Sequence, residues 1–423
     1  MEYSKITAWE VINFMSFEKA RAEFDETGIV NFKGFNDSGK SAMLRALSVC
    51  LMDKYKSKQA KFIRDGSEYF RMILDNKEEI LNKFIPIFRD RDIRRIYLLG
   101  HGSTSYATIA IKYLFVKFLG IDTSHDVATI FNHYEGFNEN IAPENTLLIC
   151  PAATGCTKGP VLAAREARKR GIFVLGSGEY DGNVLARECD VFINKLTGDE
   201  NAYVDTKGHS ATLFLYALCI ISTAYQLGKL SKESYDEYMC ELENIVNKHE
   251  SLVNQCMNWY DSHQTIIHQA RMIRIISYGI NYATSVEAQL KVTESTQKDA
   301  IGYDLEQYLH GPNMSSKPED VIFFVNPING VEHDRMSLTY QLMSKENFTH
   351  LYMLGNPEDE TVQSKADNIA FDFSLKEYLT YIQFVVFFQV LAGRMAIDLD
   401  LPTTQQAEAF VNVTSALETS FKE

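Results

Sequence analysis

The chain has 423 residues, of which 45% are apolar and 23% charged. That length predicts two to three domains, and the composition excludes a disordered chain, a collagen-like repeat or a coiled-coil rod. A formal charge of −14 argues against a general nucleic-acid binder, which needs a basic face to neutralise phosphates, so nucleic acid is not an expected partner.

Seven cysteines stand at scattered positions (50, 150, 156, 189, 219, 240 and 256) with no Cys-x-x-Cys. They read as reduced, mostly buried thiols of a cytosolic protein. The first residues, MEYSKITAWEVINF, lack a basic region followed by an apolar core, so no targeting segment is expected.

In chain order, the first feature is Gly34-Phe35-Asn36-Asp37-Ser38-Gly39-Lys40-Ser41. It follows an apolar strand candidate, residues 28–32, and opens a helical pattern, residues 42–52. That context suits a phosphate loop: backbone N–H groups around the phosphates, Lys40 on the outer ones, Ser41 on Mg²⁺. ATP and Mg²⁺ are therefore candidate ligands of Gly34, Gly39, Lys40 and Ser41. Residues 1–71 carry 12 Lys and Arg against 10 Asp and Glu, while the remainder carries 30 against 46. That shift in charge, and an Asp65-Gly66 turn signal, place a junction near Arg71–Met72.

Beyond it, a helical pattern runs from Ile73 to Phe88. Short apolar runs then alternate with helical patterns. The strand candidates are Arg95–Gly100, Val127–Asn132, Thr146–Cys150, Ile172–Leu175 and Val191–Asn194. Long helical stretches from Ala211 to about Asp261 follow. A second strand set comprises Ile273–Tyr278, Val321–Asn326, Leu351–Leu354 and Ile369–Phe373. This alternation predicts an α/β protein with parallel sheets and helices on both faces. Two apolar stretches, Ser210–Leu227 and Tyr381–Met395, reach or approach the length of a membrane span. Both carry polar atoms and lack flanking basic loops, so they read as buried helices and no membrane is expected.

The segment RIYLLGHGSTSYATIAIKYL at 95 resembles RIISYGINYATSVEAQLKV at 274. Each is a strand, a glycine turn, a Tyr-Ala-Thr and a helix, which predicts two similar modules in tandem, 72–245 and 246–423.

Three sets of residues carry chemistry. The turn Gly100-His101-Gly102-Ser103-Thr104-Ser105 lies between strand and helix, where backbone N–H groups and hydroxyls suit a phosphate. A second turn, Ala153-Thr154-Gly155-Cys156-Thr157-Lys158-Gly159-Pro160, repeats the arrangement. Two such turns beyond strand ends at a switch point predict one phosphate clamped from both sides by Gly102, Ser103, Thr104, Ser105, Thr154, Gly155 and Thr157. Third, Glu287, Lys291 and Glu294 share one helix face at i, i+4 and i+7. His310 follows in Tyr308-Leu309-His310-Gly311-Pro312. No His/Cys set has metal-ligand spacing, so no metal is expected.

These residues resemble a known family. Residues 72–423 are similar to double SIS (sugar isomerase) proteins: the isomerase half of glutamine–fructose-6-phosphate aminotransferase, fructosamine-phosphate deglycases and aldose–ketose isomerases. The match rests on the Gly102–Ser105 turn, Thr154–Thr157, Asp205-Thr206-Lys207, the Glu287/Lys291/Glu294 helix, and Gly302–Glu306 leading to His310-Gly311-Pro312.

The resemblance implies that Ser103, Thr104, Thr154 and Thr157 hold a sugar phosphate. It implies that Glu294 moves the proton between C1 and C2, and that His310 assists ring opening, reaching across from a neighbouring subunit of a homodimer or larger homo-oligomer. Lys291 and Glu287 would bind hydroxyls and tune charge. The chemistry agrees, because aldose–ketose exchange needs a carboxylate base over a carbon acid and a nearby cation, and Lys291 is expected to hold Glu294 ionised.

The second turn departs from the family's Ser-Gln-Ser-Gly-(Glu)-Thr pattern, with Ala152 and Ala153 in place of polar residues. The only lysine of residues 401–423 is Lys422, not where the aminotransferase type places one. The implied activity is therefore isomerisation, or deamination or deglycation of an amine adduct, with no cofactor for that chemistry. Two alternatives stay open: a non-catalytic sugar-phosphate sensor, and an ATP-binding component of a DNA-related machine. The latter draws on residues 5–50, which resemble the start of an SMC/RecF-type ATPase head without its later motifs.

Overall fold

A computed structural model of the chain describes residues 8–14, 17–23, 63, 65–198, 200, 204–371, 376–399 and 419–421. The chain divides into two units, Met1–Gln59 and Ala60–Glu423. In the first, β1 (Ala8–Phe14) and β2 (Phe17–Glu23) pair antiparallel, with Ala8 opposite Glu23 and Phe14 opposite Phe17. Gly34, Gly39, Lys40 and Ser41 lie outside the described residues, as do the strand and helix expected around them.

The second unit opens with α1 (Gly66–Asp75) and α2 (Lys77–Arg89). The helical pattern expected from Ile73 to Phe88 is thus two helices. The break falls at Asn76, whose side-chain amide donates to the Met72 carbonyl at 2.8 Å, the local competition that makes Asn a poor interior helix residue. The junction expected at Arg71–Met72 falls inside α1.

The first module is a parallel sheet of β3 (Arg95–Gly100), β4 (Asp122–Val127), β5 (Thr146–Pro151), β6 (Phe173–Gly178) and β7 (Val191–Asn194), in the order β4-β3-β5-β6-β7. Helix α3 (Ser103–Leu114) follows β3 and α4 (Lys158–Lys169) follows β5. Two long helices, α5 (Lys207–Gln226) and α6 (Lys232–Gln269), lead to the second module. There β8 (Ile273–Ser277), α7 (Tyr282–Thr296), β9 (Ala300–Asp304), β10 (Val321–Val325), α8 (His333–Lys345), β11 (Leu351–Gly355) and β12 (Ile369–Ala370) precede α9 (Glu377–Asp398).

The second sheet has the order β12-β11-β10-β8-β9 and is also parallel. Ranked by position in the chain, both sheets run second, first, third, fourth, fifth. The tandem repeat read from the two Tyr-Ala-Thr segments is therefore a repeat of topology, and β3 and β8 are equivalent central strands. Both are buried along nearly their whole length, as strands covered on both faces must be.

Two sequence expectations need correction. The strand expected at Val127–Asn132 lies five residues earlier, at β4, where Asp122 pairs with Arg95 and Val127 with Gly100. Beyond it the chain is helical: Ala128 and Phe131 are buried while Thr129 and Ile130 are exposed, a helical spacing. The polar residues of β4 are tolerated because it is an edge strand. The corresponding edge strand of the second sheet, β9, has no counterpart among the sequence-based expectations. Its Gly302 is a close approach to α7: a Cβ there would stand 2.3 Å from the Ser285 carbonyl oxygen.

Lys207–Gln226 and Glu377–Asp398 are long and apolar enough to cross a membrane, but both are buried inside the fold. Helix α6 joins two cores. Leu242, Ile245 and Val246 pack with α1, α2, α3 and α5, whereas Leu252, Val253, Cys256 and Tyr260 pack with the second sheet and α9. Of the described cysteines, Cys150, Cys156, Cys219 and Cys256 are buried, Cys189 is half-buried and Cys240 is exposed.

Candidate active site

One cavity of about 260 Å³ opens at the carboxyl ends of β3 and β5. These are the neighbours between which the order of the first sheet reverses, the place where open α/β sheets bind ligands. Gly102, Ser103 and Thr104 line it from the first turn. Thr154, Gly155 and Thr157 line it from the second, and Leu290 and Glu294 from α7 of the second module. Ser105 is buried and is not among the lining residues.

The turns are shaped by local demands. Gly102 has φ +54° and Gly155 φ +75°, backbone that favours glycine. A Cβ at Gly155 would also fall 2.3 Å from the Asn183 amide. The Thr104 hydroxyl donates to the His101 carbonyl at 2.8 Å and accepts from the His101 N–H at 3.1 Å, so its proton serves the turn. Thr157 precedes α4 without capping it through its side chain. The chain returns here near its end: Thr157 pairs with Ser420, Lys158 N–H donates to the Thr419 carbonyl, and Phe421 N–H to that of Cys156.

The three charged groups of α7 lie on one face, as the spacing predicts. Glu287 and Lys291 have no exposed side-chain surface, and Lys291 Nζ is 3.3 Å from Glu287 Oε1. Lys291 also hydrogen-bonds Glu294, which is 23% exposed and faces the cavity. Burial pushes the Glu287 carboxyl up to about 7, with Asp205 adding to the rise and Lys291 and Ser103 opposing it. Glu294 is also raised: burial outweighs the pull of Lys291, which acts towards the ionised form as expected. For Lys291, burial works against the charge, but Glu287, Glu294 and Asp205 more than offset it and keep it an ammonium.

Sequence reading gave no role to three groups around this face. Asp205, quoted only as part of a match, lines the cavity and accepts the His209 N–H at 3.0 Å. His209 Nδ1 donates to the Ser103 carbonyl at 3.0 Å and lies 3.8 Å from Glu287 Oε1, which ties the first turn to α7. Burial holds its pKa at about 4, with Asp205 working against that fall and Lys291 adding to it, so it is neutral near pH 7. His101 also lines the cavity, and burial lowers its pKa. A polar residue just before a helix looks solvated in sequence, which is why Asp205, though part of the match, has no role of its own there.

Behind Asp205, ligand atoms of Glu179, Glu200 and Asp205 lie within 4.8 Å of one another. Glu200 accepts the N–H groups of Thr206, Lys207 and Gly208 at 2.8–2.9 Å, and burial beside Asp205 raises it to about 8. Lys195 Nζ stands 3.9 Å from Glu179 Oε1. Glu200 is thus satisfied by helix-start amides, while Glu179 has Lys195 beside it. His310 is elsewhere: exposed, after the short helix Leu305–Leu309, its Nδ1 2.7 Å from the Glu306 carbonyl oxygen, and not among the lining residues of its own chain's cavity.

Comparison with known proteins agrees with this fold. The chain is 23% identical over 388 residues to the glutamine–fructose-6-phosphate aminotransferase (isomerizing) of Aquifex aeolicus, covering 89% of this chain and 62% of that protein. The chain therefore spans less than two thirds of the relative's length. The C-terminal domain of the glucosamine-fructose-6-phosphate aminotransferase of Francisella tularensis superposes with a TM-score of 0.70 at 19% identity, over 84% of this chain and 99% of that one. The tagatose-6-phosphate ketose/aldose isomerase of Escherichia coli does so with a TM-score of 0.65 at 14% identity, over 83% and 96%. Both chains share the tandem α/β fold. A family model described as an AAA domain matches residues 10–148, which include the Gly34–Ser41 segment and, farther on, the strands β3 and β4.

Proposed function

We propose that residues 72–423 bind a sugar 6-phosphate, or its amine adduct, and move a proton between C1 and C2. The activity is aldose–ketose isomerisation, or deamination or deglycation of the adduct. The observation that carries this reading is that one cavity is lined by both hydroxyl-bearing turns and by Glu294. The phosphate sits against the N–H groups at the start of α3 and the Thr154–Thr157 turn. Glu294 is the base. Its raised pKa brings it closer to neutral pH, where a carboxylate that must both accept and return a proton works best. Lys291, held as an ammonium behind it, offsets negative charge developing on the sugar oxygen. His310 serves the neighbouring subunit of a cytoplasmic homodimer or larger homo-oligomer. The names of the relatives, an isomerizing aminotransferase and a ketose/aldose isomerase, support the substrate class.

Incubation of sugar 6-phosphates in deuterated water tests it. The expected outcome is label at C1 or C2, reduced about 10²–10⁴-fold in Glu294→Gln. Tight binding without exchange would replace catalysis by sensing, a reading favoured by the apolar Ala152 and Ala153 in the second turn. The AAA-domain match over residues 10–148 supports weak nucleotide binding at Gly34, Gly39, Lys40 and Ser41 as a separate property. ATP turnover abolished by Lys40→Ala would show that unit to be more than a binding fragment.

A further inference from the structure

The cavity has opposite characters at its two parts. Around the turns it offers backbone N–H groups, a helix start and hydroxyls, which suit an anion. Elsewhere it offers two carboxylates, Asp205 and Glu294, and among the described residues no lysine or arginine lines it. The nearby ammonium groups stand behind the wall: Lys291 is enclosed between Glu287 and Glu294, and Lys195 lies beside Glu179. His101, the remaining basic residue of the lining, is held towards its neutral form by burial.

Glu294 has a role as the base; Asp205 has none in that chemistry. Asp205 is half-buried, with surface left to the cavity, and one of its oxygens accepts the His209 N–H at 3.0 Å. Burial works against its ionisation, but Lys195, Lys291 and His209, with a hydrogen bond from the Glu200 side chain, together hold its pKa low. A second ionised carboxylate beside a phosphate site repels an anionic ligand. It suits a ligand that brings its own cation.

We propose that Asp205 is a specificity-determining residue that selects a sugar phosphate bearing a protonated amine over one bearing only hydroxyls. The inference rests on the reading of the cavity as a sugar-phosphate site and narrows it to zwitterionic substrates. An ammonium donating to Asp205 makes a charge-assisted bond, about twice as strong as a neutral one. A hydroxyl analogue leaves the carboxylate facing a neutral group beside a dianion, so discrimination has a repulsive part as well as an attractive one.

Titration calorimetry on the full chain, with glucosamine 6-phosphate against glucose 6-phosphate, tests this, since the two differ only in amine or hydroxyl at C2. The wild-type chain is expected to bind the amine about tenfold tighter or more. Asp205→Asn is expected to bring the ratio close to one, with glucose 6-phosphate affinity kept within about threefold. Asp205→Ser serves as a second variant should the amide disturb the start of α5. Equal wild-type affinities overturn the role of Asp205, as does a preference that survives both variants. If neither sugar phosphate nor inorganic phosphate binds, the reading of the whole cavity fails with it.

Discussion

In the first module the ends of β3 and β5 open onto the cavity. In the second, the equivalent ends of β8 and β10 meet the phenol of Tyr278. Its oxygen lies 3.0 Å from Asn326 Oδ1 and 3.2 Å from the Pro327 carbonyl, and its ring is buried. Gly330 is there to admit it, since a Cβ at that position would lie 2.0 Å from the Tyr278 oxygen. Both modules build the same crevice from the same strand order; the residue after the central strand decides whether a ligand can enter. After β3 the chain turns on Gly100 and Gly102 and leaves room. After β8 it places an aromatic ring. The second module instead contributes α7, with Glu287, Lys291 and Glu294, to the wall of its neighbour's cavity.

The contrast can be tested from both sides. The largest effect is expected where α7 meets the open crevice. Lys291→Met leaves two carboxylates without their buried cation and should cost about 3–5 kcal/mol in urea unfolding, with loss of deuterium exchange. Glu287→Gln in the same chain should restore part of the stability. Tyr278→Ala empties the filled crevice and should cost about 3–5 kcal/mol while leaving sugar-phosphate affinity unchanged in calorimetry. A loss of affinity would show that the two crevices are coupled.

Gly155→Ala, at positive φ and against Asn183, should cost about 1–3 kcal/mol and weaken phosphate binding, the reverse pattern. Smaller still is a pH effect. Glu287 is raised from its usual value to about 7, so its contribution is fully present below pH 4.5 and lost as pH rises towards 7. His209, lowered to about 4, has the opposite sign: its contribution is present above 6.5 and lost as pH falls towards 4. Glu200, raised to about 8, has the sign of Glu287, so wild-type stability should fall with pH between 4.5 and 6.5, and Glu287→Gln should flatten the urea midpoint across that window, Glu200 and His209 then largely cancelling. The smallest effect, about 1 kcal/mol, belongs to Tyr278→Phe, which removes a hydroxyl and keeps the ring.

What could be read in advance followed the range of the forces involved. RIYLLG and VIFFV are apolar along their length because their strands are covered on both faces, and they stood out. DTSHDV and AIGYD are edge strands with partners on one side, and their polar residues hid them. Glu287, Lys291 and Glu294 were legible because a helix imposes its own spacing. Tyr278 was not: its meaning depends on Asn326, 48 residues away, and no local pattern carries that. Asp205 was missed for a similar reason, since its place in the cavity depends on how α5 packs against α3 and α7.

Helix α6 is continuous for 38 residues, about 57 Å of rigid rod, and it is anchored in both cores. The two turns and Glu294 therefore stand at a separation set by a strut. On the reading proposed above, a sugar phosphate one carbon shorter or longer would bring the wrong atom under the carboxylate, and selection by chain length would come from the scaffold before any hydroxyl is read.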